Sequence, residues 1–269
     1  MKIFNHNKGR LGNSIFRLLA NIVFLIVYDI DGEIIYNNLN YDIEICDNYF
    51  VNWANSVLSN NIPTINKSSV LYFTGYYQHD KIFFHFKNQI IEYINKHQEL
   101  LLFTDRNEVY KAFELISYNL EKTYKIVAHI RLEDFLEINQ VLNPLSICKI
   151  LDEITTDNSD KNLCIVVNQP KKELEFKYIN FFKNRYNVFI ESNSPIKDFN
   201  IMKNAELLIC SYSTLSWCAS FFSNNIKYVY IPNYNESLHQ TFKFTNNSKL
   251  YDCEFCSVEK LNYILNQNL

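Results

Sequence analysis

The second half of the chain alternates short apolar runs with segments of helical length, and this order constrains the fold more than any other feature. Strands are predicted at 125–130, 163–167 and 188–191, and a helix-length segment follows each of them. The order is typical of an α/β fold, in which helices pack on the faces of a parallel sheet. Ligands of such sheets bind at the carboxyl ends of the strands. Further helices are predicted at 145–155, 171–185, 197–204, 214–222 and 258–266, and further strands at 206–210 and 228–231.

The first part of the chain is less regular. A strand is predicted at 2–5, an apolar helix at 14–28, a strand at 70–74 and a helix at 78–98, where apolar residues recur at helical spacing. A boundary near residue 120 gives domains of residues 1–120 and 121–269. The chain has 269 residues, of which 48% are hydrophobic, and this is enough for two domains of that size.

Composition excludes several classes of protein. The net charge is −3, whereas a nucleic-acid-binding protein normally carries a basic stripe. The aromatic content of 16% argues against disorder. The seven cysteines are odd in number and scattered, which predicts free thiols in a reducing compartment; a metal or redox role for the Cys253/Cys256 pair is the alternative.

The apolar stretch 15–28 contains Arg17 and Asn21 and is shorter than the roughly 20 residues that a bilayer requires. We therefore expect a buried helix, with neither a signal peptide nor a transmembrane segment, and a cytoplasmic protein. The oligomeric state cannot be read from the sequence.

The first candidate motif is Gly9-Arg10-Leu11-Gly12-Asn13, predicted to be a turn over residues 9–12 between a strand and a helix. Glycine permits a positive φ and a close approach of the backbone to a ligand. The start of a helix offers N–H groups to an anion. The segment is neither a Walker A loop nor a GxGxxG fingerprint, so it does not indicate a dinucleotide oxidoreductase. An ordinary tight turn is the alternative interpretation.

The second motif lies at the end of the predicted strand 125–130. Alternation places His129 and Arg131 on the same side of that strand. An arginine there can bind a phosphate with two parallel hydrogen bonds. Glu133 and Asp134 follow, and either can act as a base or simply fix the arginine. A salt bridge at the end of the strand is the alternative.

The third motif is rich in hydroxyl groups and follows the apolar strand 206–210. Ser213 or Thr214 can cap the helix that begins there. The same hydroxyl and N–H groups can hold a diphosphate at the start of that helix. Capping requires only one hydroxyl, and the segment has Ser211, Ser213, Thr214 and Ser216, so the pattern favours binding over capping alone.

In order along the chain, these segments resemble the α-1,2-fucosyltransferase family, glycosyltransferase family 11, and its wider fucosyltransferase relatives. The matching segments are GRLGNS at 9–14, GYYQ at 75–78, HIRLEDF at 129–135 and SYSTLSWCA at 211–219. The resemblance implies a GT-B fold, in which two Rossmann-like halves with parallel sheets enclose a cleft. Residues 1–120 would form the acceptor side and residues 121–269 the donor side.

The resemblance also implies an inverting transfer of a sugar, first of all fucose from GDP-fucose, to a glycan hydroxyl, with neither metal nor cofactor. Arg131 would contact the donor phosphates, and Asp134, then Glu133, would be the candidate bases. Asp198 would accept hydrogen bonds from guanine. The residues implied to bind the donor are His129, Arg131, Asp198, Ser211, Ser213, Thr214 and Ser216, and those implied to line the cleft are Gly9, Arg10, Gly12 and Asn13.

Several positions depart from the family pattern. The second arginine of the second motif is Leu132, the glutamine of the first motif is Ser14, and the second tryptophan of the third motif is Cys218. Asn168-Gln169 stands where the family often has Ser-Asp. A different nucleotide sugar, or a catalytically inactive relative that binds a nucleotide or carbohydrate, therefore remains an alternative.

Overall fold

A computed structural model of the chain describes residues 1–6, 9–30, 32–35, 40–154, 162–233 and 248–267. The described residues form two compact units, the first of residues 1–118 and the second of residues 119–233 and 248–267. Each unit contains its own parallel sheet. The predicted α/β class, with a parallel sheet in each half, is therefore confirmed.

The first unit is built on four parallel strands in the order β2-β1-β4-β3. It contains one long apolar helix, α1. The antiparallel hairpin β5-β6 follows the sheet along the chain. The strands are β1 (Lys2–Asn5), β2 (Glu33–Ile35), β3 (Ile43–Ile45), β4 (Val70–Phe73), β5 (Leu101–Phe103) and β6 (Val109–Lys111). The helices are α1 (Leu11–Tyr28), α2 (Asp47–Leu58), α3 (Asp80–His85), α4 (Lys87–Lys96) and α5 (Glu114–Ser117).

Helix α1 is the core helix of the first unit. Its Phe24 ring stacks on Trp53 of α2 at 3.9 Å and meets Phe73 of β4 edge-on at 5.2 Å. By length and composition alone, α1 is the one helix among the described residues that could cross a membrane. However, 78% of this 18-residue apolar helix is buried inside the structure, so α1 is a buried core helix, as predicted.

Two predictions for the first unit were wrong in detail. Helix α1 begins at Leu11, so Leu11 and Gly12 form its first turn and do not belong to the predicted turn. The predicted helix 78–98 is two helices, which break at Phe86. The bend lets apolar residues of both α3 and α4 be buried, and no glycine or proline in the segment signals it.

The second unit is built on six parallel strands in the order β10-β9-β7-β11-β12-β13. Strands 163–167 and 188–191 and helix 214–222 have the predicted bounds, and the other predicted elements begin and end within a few residues of them. Its strands are β7 (Ile126–Ile130), β8 (Val141–Leu142), β9 (Leu163–Val167), β10 (Val188–Glu191), β11 (Leu207–Ile209), β12 (Tyr228–Asn233), β13 (Ser248–Asp252) and β14 (Phe255–Cys256). Its helices are α6 (Glu133–Glu137), α7 (Pro144–Ile154), α8 (Glu173–Arg185), α9 (Pro195–Lys203), α10 (Thr214–Phe222) and α11 (Val258–Gln267).

The strand order of this sheet identifies where a ligand would bind. Leaving aside the short antiparallel pair β8-β14, and numbering the six strands along the chain, the order is 3-2-1-4-5-6, which is that of the Rossmann fold. The order reverses between the neighbouring strands β7 and β11. In such sheets the ligand lies outside the carboxyl ends of the strands at this switch point. The loops that begin there contain Arg131 and Ser213.

All seven cysteines are free. Burial raises the pKa of Cys253 and of Cys256 to about 11. Both side chains are therefore thiols, not thiolates, at neutral pH, as expected where burial outweighs any activating charge nearby. Among the residues that the structure describes, no group of three His, Cys, Asp or Glu side chains is placed to hold a metal ion.

Candidate functional site

Arg131 leaves the carboxyl end of β7 and is held by two residues of α6. Its Nε and Nη2 donate to the two carboxylate oxygens of Asp134 at 3.3 and 2.8 Å. Its guanidinium also lies 4.5 Å from the centre of the Phe135 ring. The Arg131 side chain is 21% exposed, so it is fixed in direction and still reachable by a ligand. In this arrangement Asp134 fixes the arginine.

The backbone after Arg131 has an unusual conformation. Leu132 has φ −108° and ψ −99°, and Glu133 has a positive φ of 23°. The Leu132 N–H donates to Oδ1 of Asn168, which follows the neighbouring strand β9, at 3.1 Å. The Glu133 carboxylate lies 3.6 Å from Lys171 Nζ in the same β9 loop. Each candidate base therefore faces a cation. Asp134 faces Arg131 in its own loop, and Glu133 faces Lys171 in the loop after β9.

His129 ties β7 to the turn after β11. Its Nδ1 lies 2.9 Å from Ser211 Oγ, and both residues are buried. Burial, with a smaller effect of the Arg131 charge, lowers the pKa of His129 to about 3. The imidazole is therefore neutral at physiological pH, and its role in this structure is to join two neighbouring strand ends.

The hydroxyl-rich turn separates its side chains into two groups. Ser213 is the N-cap of α10, where its Oγ accepts the Leu215 N–H at 3.3 Å. Ser216 is fully buried, and its hydroxyl donates to the Ser213 carbonyl at 3.0 Å. Ser213 and Thr214 are partly exposed. The turn thus presents Ser213 and Thr214 at its surface, whereas the hydroxyls of Ser211 and Ser216 stabilise it from behind.

Asp198 lies in the first turn of α9, and α9 packs against α10. It is only 7% exposed. Its carboxylate accepts hydrogen bonds from the backbone N–H and the Nδ2 group of Asn193, each at 3.1 Å. Burial raises the pKa of Asp198 to about 6, although the Asn193 hydrogen bonds oppose the shift.

The polar network around Asp198 was missed by the sequence analysis. Asn193 Nδ2 also donates to Glu191 at 3.0 Å, and the Tyr124 hydroxyl donates to Glu191 as well. Glu191 is the last residue of β10, so its position at the carboxyl end of a strand was the available signal. Asn168, which follows β9 directly, was likewise noted only as a departure from the family pattern.

The glycine motif lies in the first unit, after β1. Gly9 has φ +97°, and a Cβ there would lie 2.9 Å from the Asn13 side chain, so this position requires glycine. Arg10 is the N-cap residue of α1, and Gly12 and Asn13 belong to the first turn of that helix. Gly9 is the only described glycine with positive φ, so the conformational argument does not extend to Gly12.

Gly75, in the second matching segment of the first unit, has a structural role. The Asp47 carboxylate accepts the N–H groups of Tyr76 and Tyr77 at 2.8 and 2.7 Å. A Cβ on Gly75 would lie 2.5 Å from that carboxylate. The segment at Gly75 therefore closes the loop after β4 onto the start of α2.

The structure thus brings eight predicted residues to the carboxyl ends of β7 and β11 in the second unit: His129, Arg131, Glu133, Asp134, Ser211, Ser213, Thr214 and Ser216. Asp198 lies farther along the same edge of the sheet, after β10. The glycine-motif residues form a separate local arrangement in the first unit.

No protein-family model matches the chain, and no curated protein matches it. Solved structures do. The fucosyltransferase NodZ from Bradyrhizobium matches at 7% identity with a TM-score of 0.48, over 85% of this chain and 93% of NodZ. POFUT1 in complex with GDP matches at 12% identity with a TM-score of 0.46, over 85% of this chain and 96% of POFUT1. A mutant of Arabidopsis thaliana FUT1 in complex with GDP matches at 11% identity with a TM-score of 0.42, over 85% of this chain and 70% of that one.

Proposed function

We propose that the chain is a glycosyltransferase that uses a nucleotide-sugar donor, with GDP-fucose as the first candidate. One observation carries the proposal: Arg131 and the Ser213-capped start of α10 leave neighbouring strands at the switch point of a sheet with Rossmann strand order. A guanidinium and a helix N-terminus each favour a phosphate group. The four motifs that resemble fucosyltransferases support the same assignment.

The proposed reaction is an inverting displacement at the anomeric carbon that needs no metal. The acceptor hydroxyl oxygen forms the new bond to that carbon, the bond to the diphosphate oxygen breaks, and the hydroxyl proton passes to a base. Asp134 is the first candidate base and Glu133 the second. Arg131 and the N–H groups at the start of α10 stabilise the charge on the leaving diphosphate. Removing such a contact typically lowers the rate by about 10²–10³-fold.

The choice of GDP rests on Asp198. A carboxylate can accept the N1–H and N2–H₂ groups of guanine, while it repels the acceptor groups that other bases present there. Asn193 already occupies part of this carboxylate. A carboxylate has about four acceptor positions, so guanine can bind beside Asn193.

The donor is assigned to the second unit and the glycan acceptor to the first, in a cytoplasmic protein.

A non-catalytic nucleotide- or carbohydrate-binding relative is the second candidate. The observation that favours it is Leu132, which replaces the second arginine of the family motif and is fully buried. The donor site therefore lacks one cation at this position. Release of free sugar or transferred sugar from an intact nucleotide sugar separates the two functions, because a binding protein leaves the donor unchanged.

The first test measures the affinity of the protein for GDP, UDP, ADP, CMP and dTDP by calorimetry in the presence of EDTA. We expect GDP to bind most tightly. Arg131→Ala should weaken this binding, whereas Arg185→Ala should not. Arg185 is a matched control because its guanidinium also stacks on a phenylalanine, at 4.6 Å from the Phe181 ring, but lies in the last turn of α8.

The results distinguish the alternatives. Tighter binding of UDP or dTDP would replace GDP as the donor nucleotide and leave the phosphate site in place. Equal affinity in the wild type and in Arg131→Ala would overturn the proposed site. Normal GDP binding without turnover of GDP-fucose or of other GDP-sugars would favour the non-catalytic relative.

A further inference from the structure

We propose that Asn168 is a positioning residue that keeps Arg131 directed at the switch point; this inference rests on the proposed function of Arg131. Asn168 follows β9 directly. The neighbouring strand of β9 in the sheet is β7, which ends immediately before Arg131. Asn168 Oδ1 accepts the N–H of Leu132, the residue after Arg131, at 3.1 Å. The side chain of one loop thus holds the backbone of the loop that carries the arginine.

The held backbone is strained. Glu133 has φ +23°, a region that residues with side chains rarely adopt, and Leu132 before it has ψ −99°. Such conformations persist only where the surrounding structure imposes them. Leu132 contributes a fully buried side chain, and its N–H is satisfied by Asn168. The Asn168 hydrogen bond therefore opposes the relaxation of this loop.

Two further contacts join the same segments, and in each of them the lysine is more than half exposed. Lys171 Nζ lies 3.6 Å from Glu133, with the lysine side chain 71% and the glutamate side chain 19% exposed. Lys172 Nζ lies 3.2 Å from Glu137, and both side chains are more than half exposed. Exposed ion pairs contribute little to stability. Asn168 is partly buried and carries no charge, so its hydrogen bond is the contact that fixes the loop.

The direction of Arg131 depends on this loop. The arginine is held from α6, through Asp134 and Phe135, and α6 begins at the strained residue Glu133. If the Leu132 N–H loses its acceptor, α6 and the guanidinium can shift together. A displacement of about 1 Å at a reacting group can lower turnover about 10²-fold.

The test compares Asn168→Leu, which keeps the approximate volume but removes the acceptor, with Asn168→Asp, which keeps it. Both variants remove the weak Nδ2 contact to the Gln169 carbonyl at 3.4 Å. Lys172→Ala is the matched control, because it breaks an exposed contact between the same loops. We expect Asn168→Leu to lower GDP affinity about tenfold or more and Lys172→Ala to change it much less, whereas Asn168→Asp, which keeps the acceptor but adds a charge near the diphosphate, should keep the Leu132 amide protected from hydrogen exchange.

A double-mutant cycle shows whether Asn168 acts through Arg131. We expect Asn168→Leu to have no further effect on GDP affinity in the Arg131→Ala background. An equal loss in both backgrounds would overturn the inference. If Arg131→Ala itself leaves GDP affinity unchanged, the proposed function fails instead. If Arg131→Ala weakens binding and Asn168→Leu does not, only the positioning role fails.

Hydrogen exchange provides a readout that needs no nucleotide. We expect the Leu132 amide to exchange faster in Asn168→Leu than in the wild type, and at the wild-type rate in Lys172→Ala. Unchanged protection of this amide in Asn168→Leu would overturn the inference, because the bond would then not hold the loop.

Discussion

Two residues of the candidate site respond to burial in opposite directions. Burial lowers the pKa of His129 to about 3 and raises that of Asp198 to about 6. In both cases the low-dielectric surroundings disfavour the charged form. For His129 this leaves a neutral hydrogen-bonding group at physiological pH. For Asp198 it leaves a carboxylate whose ionisation destabilises the fold, and which therefore takes up a proton in mild acid.

The first prediction concerns His129 and stability. Its folded-state pKa of about 3 lies below the unfolded value of 6.5. As the pH falls, the unfolded chain therefore binds a proton first, so the stability that His129 contributes is full above about pH 6.5 and is lost as the pH falls toward 3. We expect the difference in unfolding free energy between wild type and His129→Gln to narrow from pH 7 to pH 5. Urea denaturation at both pH values measures it, and a constant difference would contradict the prediction.

The second prediction concerns Asp198, whose folded-state pKa of about 6 lies above the unfolded value of 3.8. The folded state therefore binds the proton more tightly, and the ionised carboxylate destabilises it above about pH 6, by roughly 3 kcal/mol in order of magnitude. We expect Asp198→Asn to be more stable than the wild type at pH 7, with an advantage that shrinks as the pH falls to about 4.

The same substitution should weaken the preference for GDP over UDP, because an amide no longer presents two acceptor oxygens to guanine. Urea denaturation gives the stability, and calorimetry gives the nucleotide preference. A variant that is less stable than the wild type at pH 7 would show that the carboxylate stabilises its network with Asn193. Unchanged nucleotide preference would remove Asp198 from the donor site.

At the scale of elements, helix α1 and the loop after β4 contain buried polar side chains with opposite hydrogen-bonding environments. Asn21 is fully buried in α1, and neither atom of its amide has a hydrogen-bonding partner among the described residues. Asp47, in contrast, has its carboxylate satisfied by the backbone of the loop at Gly75. The buried amide of Asn21 lowers the stability of the fold, and the Asp47 carboxylate leaves no room for a side chain at Gly75.

The third prediction is that Asn21→Leu stabilises the protein. A buried polar group without a partner costs roughly 1–3 kcal/mol, and leucine of similar volume removes that cost. Urea denaturation should show a higher midpoint with an unchanged slope. Asn55→Leu in α2 is the control, because Asn55 is exposed and its replacement should change stability little. A destabilised Asn21→Leu variant would mean that the amide has a partner in solution.

The fourth prediction is that Gly75→Ala destabilises the protein by about 1–3 kcal/mol. The added Cβ would meet the Asp47 carboxylate at 2.5 Å and the Asp47 backbone nitrogen at 2.9 Å, and neither atom can move freely. Gly32→Ala is the matched control, since its closest contact is the flexible end of Leu25. Thermal unfolding should rank Gly75→Ala as the less stable variant; equal losses would show that the loop after β4 adapts.

At the scale of the whole molecule, the two units differ in how their sheets are organised. The first has four strands in the order β2-β1-β4-β3, and the second has the Rossmann order with one reversal between β7 and β11. Only the second therefore has the strand order that in other proteins defines a dinucleotide crevice. The candidate donor residues Arg131, Ser213 and Asp198 all belong to that unit.

The fifth prediction follows from this assignment. We expect GDP to slow hydrogen exchange most in the two segments that begin at the switch point, 129–135 and 211–216. The helices α7 and α8 of the same unit serve as internal controls, and their exchange should change little. Protection confined to the first unit would contradict the placement of the donor in the second.

Much of the second unit could be predicted because its strands are short apolar runs, as in β9 and β10, whose bounds were correct. The break at Phe86 could not, because no glycine or proline accompanies it and the bend serves the packing of α3 and α4. The edge strand β13 was also missed. Its exposed Leu250 and charged neighbours lack the apolar pattern of a central strand.

The sequence by itself determined the class of fold and the residue types at the strand ends, because hydrophobic periodicity and glycine or hydroxyl turns are local properties of the chain. Only the tertiary structure decided which strands are neighbours, and therefore that Arg131 and Ser213 leave adjacent strands. It also decided which hydroxyls face outward, and that Asn168 holds the Arg131 loop. These contacts join residues far apart in sequence, and their formation depends on strand order and burial, which no local pattern encodes.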